Sequence, residues 1–269
     1  MKPKSMRKYW TIITTMWARA LIHRFTIVAY RTGELFEIVF LLILWTALFK
    51  GRDTISGYTI QEMITYVLVG NLVSIVTRNF LTDFMTKEIK DGALSIFVVK
   101  PITYLRYVLV RELGRVSLPF LISLVSQIGI MLIFARQLVI HTSFVHFALF
   151  IVMVAFAFLI EFFISFLIGA TAFWIDETDG LSQTIYRLKR FLSGGYFTLS
   201  LLPALYIQIS LALPFAYSFY VPTQLYLQKL TLWQGLKGIG IQIIWIALLY
   251  LCIKLVWRRG TRRYEGVGI

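Results

Sequence analysis

The chain has 269 residues, of which 58% are hydrophobic and 15% are charged, and its mean hydropathy is +0.76. This composition excludes an ordinary soluble fold, and no polar stretch is long enough to form a separate soluble domain. The formal net charge is +14, but the basic residues lie beside apolar runs rather than on a polar face, which argues against nucleic-acid binding. We therefore expect an all-α polytopic membrane protein with a single membrane domain over residues 1–269.

The N-terminal segment predicts a helix that lies at the membrane surface. Trp10, Ile13 and Trp17 recur at helical spacing, and tryptophan is enriched in the headgroup layer. Arg19 and Arg24 would be costly at a deeper position. Residues 1–32 are accordingly expected to form a cytoplasmic tail and an interfacial helix.

About six apolar segments are candidates for membrane crossings. They cover residues 34–49, 60–80, 104–134, 144–174, a fifth segment that starts near residue 186 and is interrupted by Pro203, and residues 236–257. Pro119 is expected to kink the third crossing. Residues 203–230 are apolar but contain Pro214 and Pro222, which favours short re-entrant or interfacial helices on the outer side.

The distribution of basic residues predicts the orientation. All but five of the 27 Lys and Arg residues lie before the first crossing, between the second and third, between the fourth and fifth, or after the last. Cytoplasmic loops carry an excess of Lys and Arg, so both termini are expected in the cytoplasm. The five basic residues on the opposite side are Lys50, Arg52, Arg136, Lys229 and Lys237.

A charged amphipathic segment, residues 83–101, separates the second and third crossings. On a helix, Lys87, Glu88, Lys90 and Asp91 would occupy one side, Ile89 would contribute to the apolar side, and Gly92 would break or cap the helix. Such a segment can lie at the membrane surface and present its polar face to a cytoplasmic partner. An ordinary solvated loop is the alternative.

Several polar residues lie within the apolar segments. Glu161 is in the middle of the fourth, with no compensating charge in its own helix. It could face a translocation path, bind a cationic substrate, pair with a basic group on another helix, or be protonated and hydrogen-bonded between helices. Asn71 and Gln127 are expected to be interhelical hydrogen-bond partners rather than ligand contacts. A membrane-edge charge cluster is predicted for Arg111, Glu112 and Arg115.

The sequence offers little support for an enzyme. It has no GxxxxGK[ST] loop, so the chain itself is not expected to hydrolyse ATP by the P-loop route. His141 and His146 are five positions apart with no glutamate between them, which excludes an HExxH zinc site. We expect no metal and no cofactor in this chain.

Three stretches resemble the permease subunits of type-two ABC exporters, in particular a bacterial branch of uncharacterised permeases. They are EIKDGALSIFVVKPI (residues 88–102), FLSGGYFTLSLLP with LPFAYSFYVP (191–203 and 213–222), and WRRGTRRYEGVGI (257–269). Together with the order of the crossings, the resemblance extends over nearly the whole chain. One difference is Tyr196-Phe197-Thr198, where many relatives have an isoleucine-proline pair.

This resemblance implies a transmembrane permease subunit of the bacterial inner membrane that forms the substrate pathway as a dimer with the same or a homologous chain. Separate cytoplasmic P-loop ATPase subunits would bind ATP and Mg²⁺, and the segment over residues 83–101 would be the coupling helix that docks on them. An ion- or proton-coupled secondary transporter that uses Glu161 is the alternative, followed by a membrane enzyme that acts on lipids. The substrate is not predicted.

Overall fold

The computed structural model describes residues 4–99, 102–139, 143–175 and 179–264. The α-helices in these ranges are α1 (Lys4–Ile22), α2 (Arg24–Leu48), α3 (Ile60–Thr77), α4 (Leu81–Lys90), α5 (Ile96–Val99), α6 (Tyr104–Ile133), α7 (Phe144–Ala170), α8 (Asp179–Leu192), α9 (Ala204–Ala212), α10 (Tyr220–Tyr226) and α11 (Leu232–Arg263). Short 3-10 helices lie at Ala93–Ser95, Ala135–Gln137, Thr171–Phe173, Leu199–Leu201 and Ala216–Ser218. His141, the last two residues of the predicted coupling segment and the start of the loop at residue 176 are outside the described ranges.

Four helical stretches in the described part of the chain are long and apolar enough to cross a membrane. They are Ile60–Lys90, Tyr104–Ile133, Phe144–Phe173 and Leu232–Arg263. They overlap the predicted second, third, fourth and last crossings, and the first of them extends beyond residue 80 to include α4. Helix α2 is not among them, because Arg31, Glu34 and Glu37 interrupt its apolar sequence. A total of six crossings remains a prediction.

The predicted fifth crossing is not one continuous helix. It begins earlier than expected, with α8 at Asp179, and it breaks well before Pro203. The break is at Gly194, whose φ of +81° cannot continue a right-handed helix, and the Tyr66 hydroxyl donates a 2.8 Å hydrogen bond to the Gly194 carbonyl. At 1.5 Å per residue, α8 and α9 reach about 21 and 14 Å, which is less than the hydrocarbon thickness of about 30 Å.

Short helices also follow α9, and a hydrogen-bonded cluster around Tyr58 connects this region to the body of the protein. Gln224 Nε2 donates to the Tyr58 hydroxyl at 2.6 Å, and the Thr198 hydroxyl donates at 3.2 Å. Tyr220 joins through Ser200, with 2.8 Å between the hydroxyl oxygens. Burial raises the pKa of Tyr220 to about 12, so its phenol stays neutral and able to donate. Neither α9 nor α10 is long enough to cross a bilayer.

Helix α7 is at the centre of the packing. Its most buried residues include Met153, Ile160, Phe162 and Phe166, and α11, α4 and α10 all pack against it. Gly169 allows α4 to approach closely, because a Cβ at this position would lie 2.9 Å from the Met85 Cβ atom. Because Gly169 has no side chain, the backbones of α4 and α7 can come into close contact at this position.

The C-terminal end of α11 packs against the 3-10 helix that extends α7. Trp257 and Gly260 lie three residues apart on one face of α11, and Tyr264 follows directly after the last residue of this helix. All three surround Phe173: the ring centroids of Trp257 and Tyr264 are 5.5 and 6.1 Å from its own, and a Cβ on Gly260 would lie 2.2 Å from its ring.

The N-terminal helix α1 packs along α6. Ile13 lies over Gly114, where an added Cβ would be 2.9 Å from the Ile13 Cα atom, and Trp17 Nε1 donates a 2.9 Å hydrogen bond to the Ser117 hydroxyl. The predicted interfacial helix is thus attached to the third predicted crossing. Its position at the membrane surface remains a prediction.

We expect Gly260→Ala to destabilise the protein by about 1–3 kcal/mol, because the added methyl group overlaps the Phe173 ring and forces α11 away from α7. Gly240→Ala on the same helix is the matched control, since nothing lies within 4 Å of a Cβ there. Thermal unfolding of both variants in detergent measures the difference. An equal midpoint for the two variants would contradict the proposed contact.

Candidate functional site

Helix α4 has an apolar face that is buried and a charged face that is not. Leu81, Met85 and Ile89 are spaced four residues apart, so they form one stripe, and all three are buried in the core cluster that contains α7. The Thr82 hydroxyl adds a 3.1 Å hydrogen bond to the Ser165 carbonyl of α7. On the other side, the charged side chains of Lys87, Lys90 and Asp91 are exposed.

Glu88 differs from the other charged residues of this helix, because its side chain is not fully exposed. It is half-buried and accepts a 2.8 Å hydrogen bond from the Tyr104 hydroxyl. The reason is geometric: consecutive helical residues are rotated by about 100°, so Glu88 lies at the edge of the charged face that is nearest to α6. Tyr104 in turn stacks on Trp257 of α11, with ring centroids 4.8 Å apart and nearly parallel planes.

Gly92 ends α4 in the manner that its sequence position predicts. Its φ is +75°, in the left-handed region that glycine tolerates best, and it starts the 3-10 turn at Ala93–Ser95. The Ser95 hydroxyl donates a 2.8 Å hydrogen bond to the Gly92 carbonyl. The turn brings Phe97 against Tyr104 and Tyr107, with ring centroids 5.0 and 4.8 Å apart.

The predicted charge cluster on α6 lies beside α4. Glu112 is fully buried and accepts hydrogen bonds from Arg111 and, at 2.6 Å, from Arg115 Nε. The Arg111 guanidinium lies 3.3 Å from the centroid of the Phe84 ring. Because Phe84 belongs to α4, the cluster stabilises the contact between the third predicted crossing and the segment that was predicted to couple.

A second set of ion pairs extends this cluster to α2. The Arg115 guanidinium donates a 3.0 Å hydrogen bond to the Arg78 carbonyl at the end of α3, and the Arg78 side chain forms an ion pair with Glu34. Glu34 also pairs with Arg31 of its own helix. Three helices are therefore connected by charges at the junction between α3 and α4.

A cavity of about 380 Å³ lies between α2, the α3–α4 junction, α7 and α8. Glu161 of α7 lines it and forms an ion pair with Lys189 of α8, while Glu37 of α2 pairs with Arg190. Of the roles considered for Glu161, pairing with a basic group on another helix is the one that is observed. The pair accounts for a buried acid in an apolar helix.

The other two intramembrane polar residues do not line this cavity. Gln127 is buried, and its Nε2 donates a 3.0 Å hydrogen bond to the Leu68 carbonyl of α3, so it is an interhelical hydrogen-bond partner as expected. Asn71 is half-buried on α3.

Sequence reasoning missed several residues that complete these sites. Tyr104 and Trp257 give no signal of their own, because their contact depends on how α6 and α11 approach each other. Glu37 did give one: like Glu161, it is an acid within an apolar run. Lys189 and Arg190 belong to the basic residues between the fourth and fifth predicted crossings, and the charge distribution alone gives no sign that they pair with those acids.

Comparison with known proteins identifies the family. The sequence model of the ABC-2 family transporter protein matches residues 35–268, which is most of the chain and includes the four helical stretches able to cross a membrane. No curated protein and no solved structure matches the chain. The chain therefore belongs to the ABC-2 transporter family and is a membrane permease component of an ABC transporter.

Proposed function

We propose that the chain is the permease subunit of an ATP-driven exporter, forms the substrate pathway together with a second copy or a homologous permease, and is driven by separate cytoplasmic P-loop ATPase subunits. Those subunits would bind the ATP and Mg²⁺. The coupling contact is the set Lys87, Glu88, Ile89, Lys90, Asp91 and Gly92. The observation that carries the proposal is that α4 combines an exposed charged face with firm attachment to the apolar helices.

The attachments of α4 suit it to transmit force. Its apolar stripe packs on α7, Glu88 connects it through Tyr104 to α6, and the stacking of Tyr104 on Trp257 adds α11. A displacement of α4 would therefore move three helices together, since packed elements shift as units. The exposed charges make contacts that can break and form again in each cycle.

The arrangement of the basic segments supports an orientation with both termini in the cytoplasm of a bacterium and the spans in its inner membrane. Lys8 of α1, Leu94 after α4, Arg106 of α6 and Tyr264 at the end of α11 line one cavity. Three Lys- and Arg-rich segments thus lie at the same end of the molecule. The positive-inside rule assigns that end to the cytoplasm, where the ATPase would bind.

The alternative of a secondary transporter that uses Glu161 has less support. Its carboxylate already has a partner in Lys189, so no ion or proton is needed to account for its burial. The exporter proposal requires only that the exposed charged side chains of α4 contact an ATPase subunit.

For the double variant Lys87→Glu, Lys90→Glu we expect the amount of P-loop ATPase that co-purifies with tagged protein to fall at least about tenfold, because both basic groups of the docking face become acidic. The matched control is Lys50→Glu with Lys237→Glu, a double reversal of two exposed lysines on the predicted outer side. If the wild-type chain brings down no P-loop ATPase, or if both variants retain it equally, the coupling role of α4 is wrong.

Tyr104→Phe separates docking from transmission. The substitution preserves the stacked ring but removes the hydrogen bond to Glu88, so we expect ATPase binding to be unchanged and transport per ATP hydrolysed to fall several-fold. Tyr250→Phe, which removes a hydroxyl from a partly exposed tyrosine of α11, is the control. Transport and ATP hydrolysis are measured together in proteoliposomes. Equal coupling ratios in the two variants would contradict transmission through Glu88.

A further inference from the structure

The cavity between α7 and α8 contains acids and bases in equal number, but they are not equivalent. The acids among its described lining residues are Glu37, Asp83 and Glu161, and the bases are Arg78, Lys189 and Arg190. Glu161 pairs with Lys189, and Glu37 pairs with Arg190. Both pairs connect α8 to the rest of the protein, since both bases belong to that helix.

The acid of the first pair is fixed, whereas its base is peripheral. Glu161 belongs to the central helix, between Ile160 and Phe162, which are both fully buried, and its side chain is 6% exposed. The Lys189 side chain is 16% exposed, and half of the described side chains of α8 are exposed. No described helix packs extensively along α8. The Lys189 side chain can therefore move into water with little change in packing. Glu161 cannot move in the same way, because it belongs to the buried central helix.

This asymmetry decides which charge a ligand of the cavity should carry. A cation that pairs with Glu161 displaces Lys189, whose long stem lets the ammonium group reach water. An anion that pairs with Lys189 would leave Glu161 buried without a partner, which is the costly state for an acid within an apolar helix. Displacement of the base is thus easier than displacement of the acid, and the site favours a cation.

We propose that this cavity binds organic cations with an apolar body, with Glu161 as the acid that pairs with the positive charge and α8 as the wall that moves. Ile168, Tyr186 and Phe219 line the same cavity and supply an apolar and aromatic surface for the rest of the ligand. The size of the cavity, about 380 Å³, is in the range of small-molecule sites. The role of these cations as transported substrates rests on the proposed exporter function.

Tetraphenylphosphonium and tetraphenylborate test the proposal directly, because they have nearly the same shape and opposite charge. Equilibrium dialysis measures the binding of each ion to the purified full chain in lipid nanodiscs, and empty nanodiscs provide the correction for partition into lipid. We expect saturable binding of the phosphonium, at least tenfold tighter than any specific binding of the borate. Borate binding that equals or exceeds phosphonium binding, or no saturable phosphonium binding, would overturn the proposal.

Variants at the ion pair distinguish a binding acid from a structural one. Glu161→Gln should weaken phosphonium binding at least tenfold, and Glu161→Asp should keep the preference for the cation. Lys189→Gln should tighten phosphonium binding several-fold, because it removes the competitor for Glu161. A purely structural pair predicts the opposite result for Lys189→Gln, namely weaker binding, and this outcome would reject the site.

Glu62→Gln is the matched control, because Glu62 also forms an ion pair, with Lys229 at 2.8 Å, but does not line the cavity. We expect it to bind the phosphonium as the wild type does. Co-purification of the ATPase is measured on the same samples. Retained cation binding without an ATPase would overturn the exporter function alone, whereas an ATPase without cation binding would overturn the cavity proposal alone.

Discussion

The packing of α4 and α11 against α7 is the interaction on which the rest of this protein depends. Within a bilayer no hydrophobic effect drives helices together, so close contact requires small residues at the interfaces. Gly169 supplies this for α4, and Gly260 supplies it for the Phe173 ring. Because both contacts involve the same end of α7, the charged helix and the C-terminal end of α11 are held in one unit.

Charge pairing between helices is the second constraint. A buried ionised side chain needs a partner. Glu112 finds its partners within its own helix, whereas Glu34 with Arg78, Glu37 with Arg190 and Glu161 with Lys189 are pairs between different segments. These pairs lie at the predicted cytoplasmic half, around the α3–α4 junction and α8. They add contacts between helices at this end of the molecule.

Helix α4, the proposed coupling helix, and helix α8, the proposed mobile wall of the cavity, differ in how firmly they are attached to the rest of the protein. Helix α4 is attached to α7, α6 and α11, which suits an element that transmits movement. Helix α8 forms ion pairs with α7 and α2 through Lys189 and Arg190 and borders a cavity, which suits an element that yields to a ligand. A transporter needs both properties, and here they belong to different helices around the same central one.

Composition and pattern by themselves determined the class of the protein, four of its apolar helices, the amphipathic character of α4 and its end at Gly92, because each depends on local periodicity or on one residue's backbone preference. The tertiary structure alone decided which charges pair, that Glu88 faces Tyr104, and that the predicted fifth crossing breaks at Gly194 rather than Pro203. Those features depend on contacts between residues far apart in the chain, such as Tyr66 with Gly194, and helical periodicity contains no information about them.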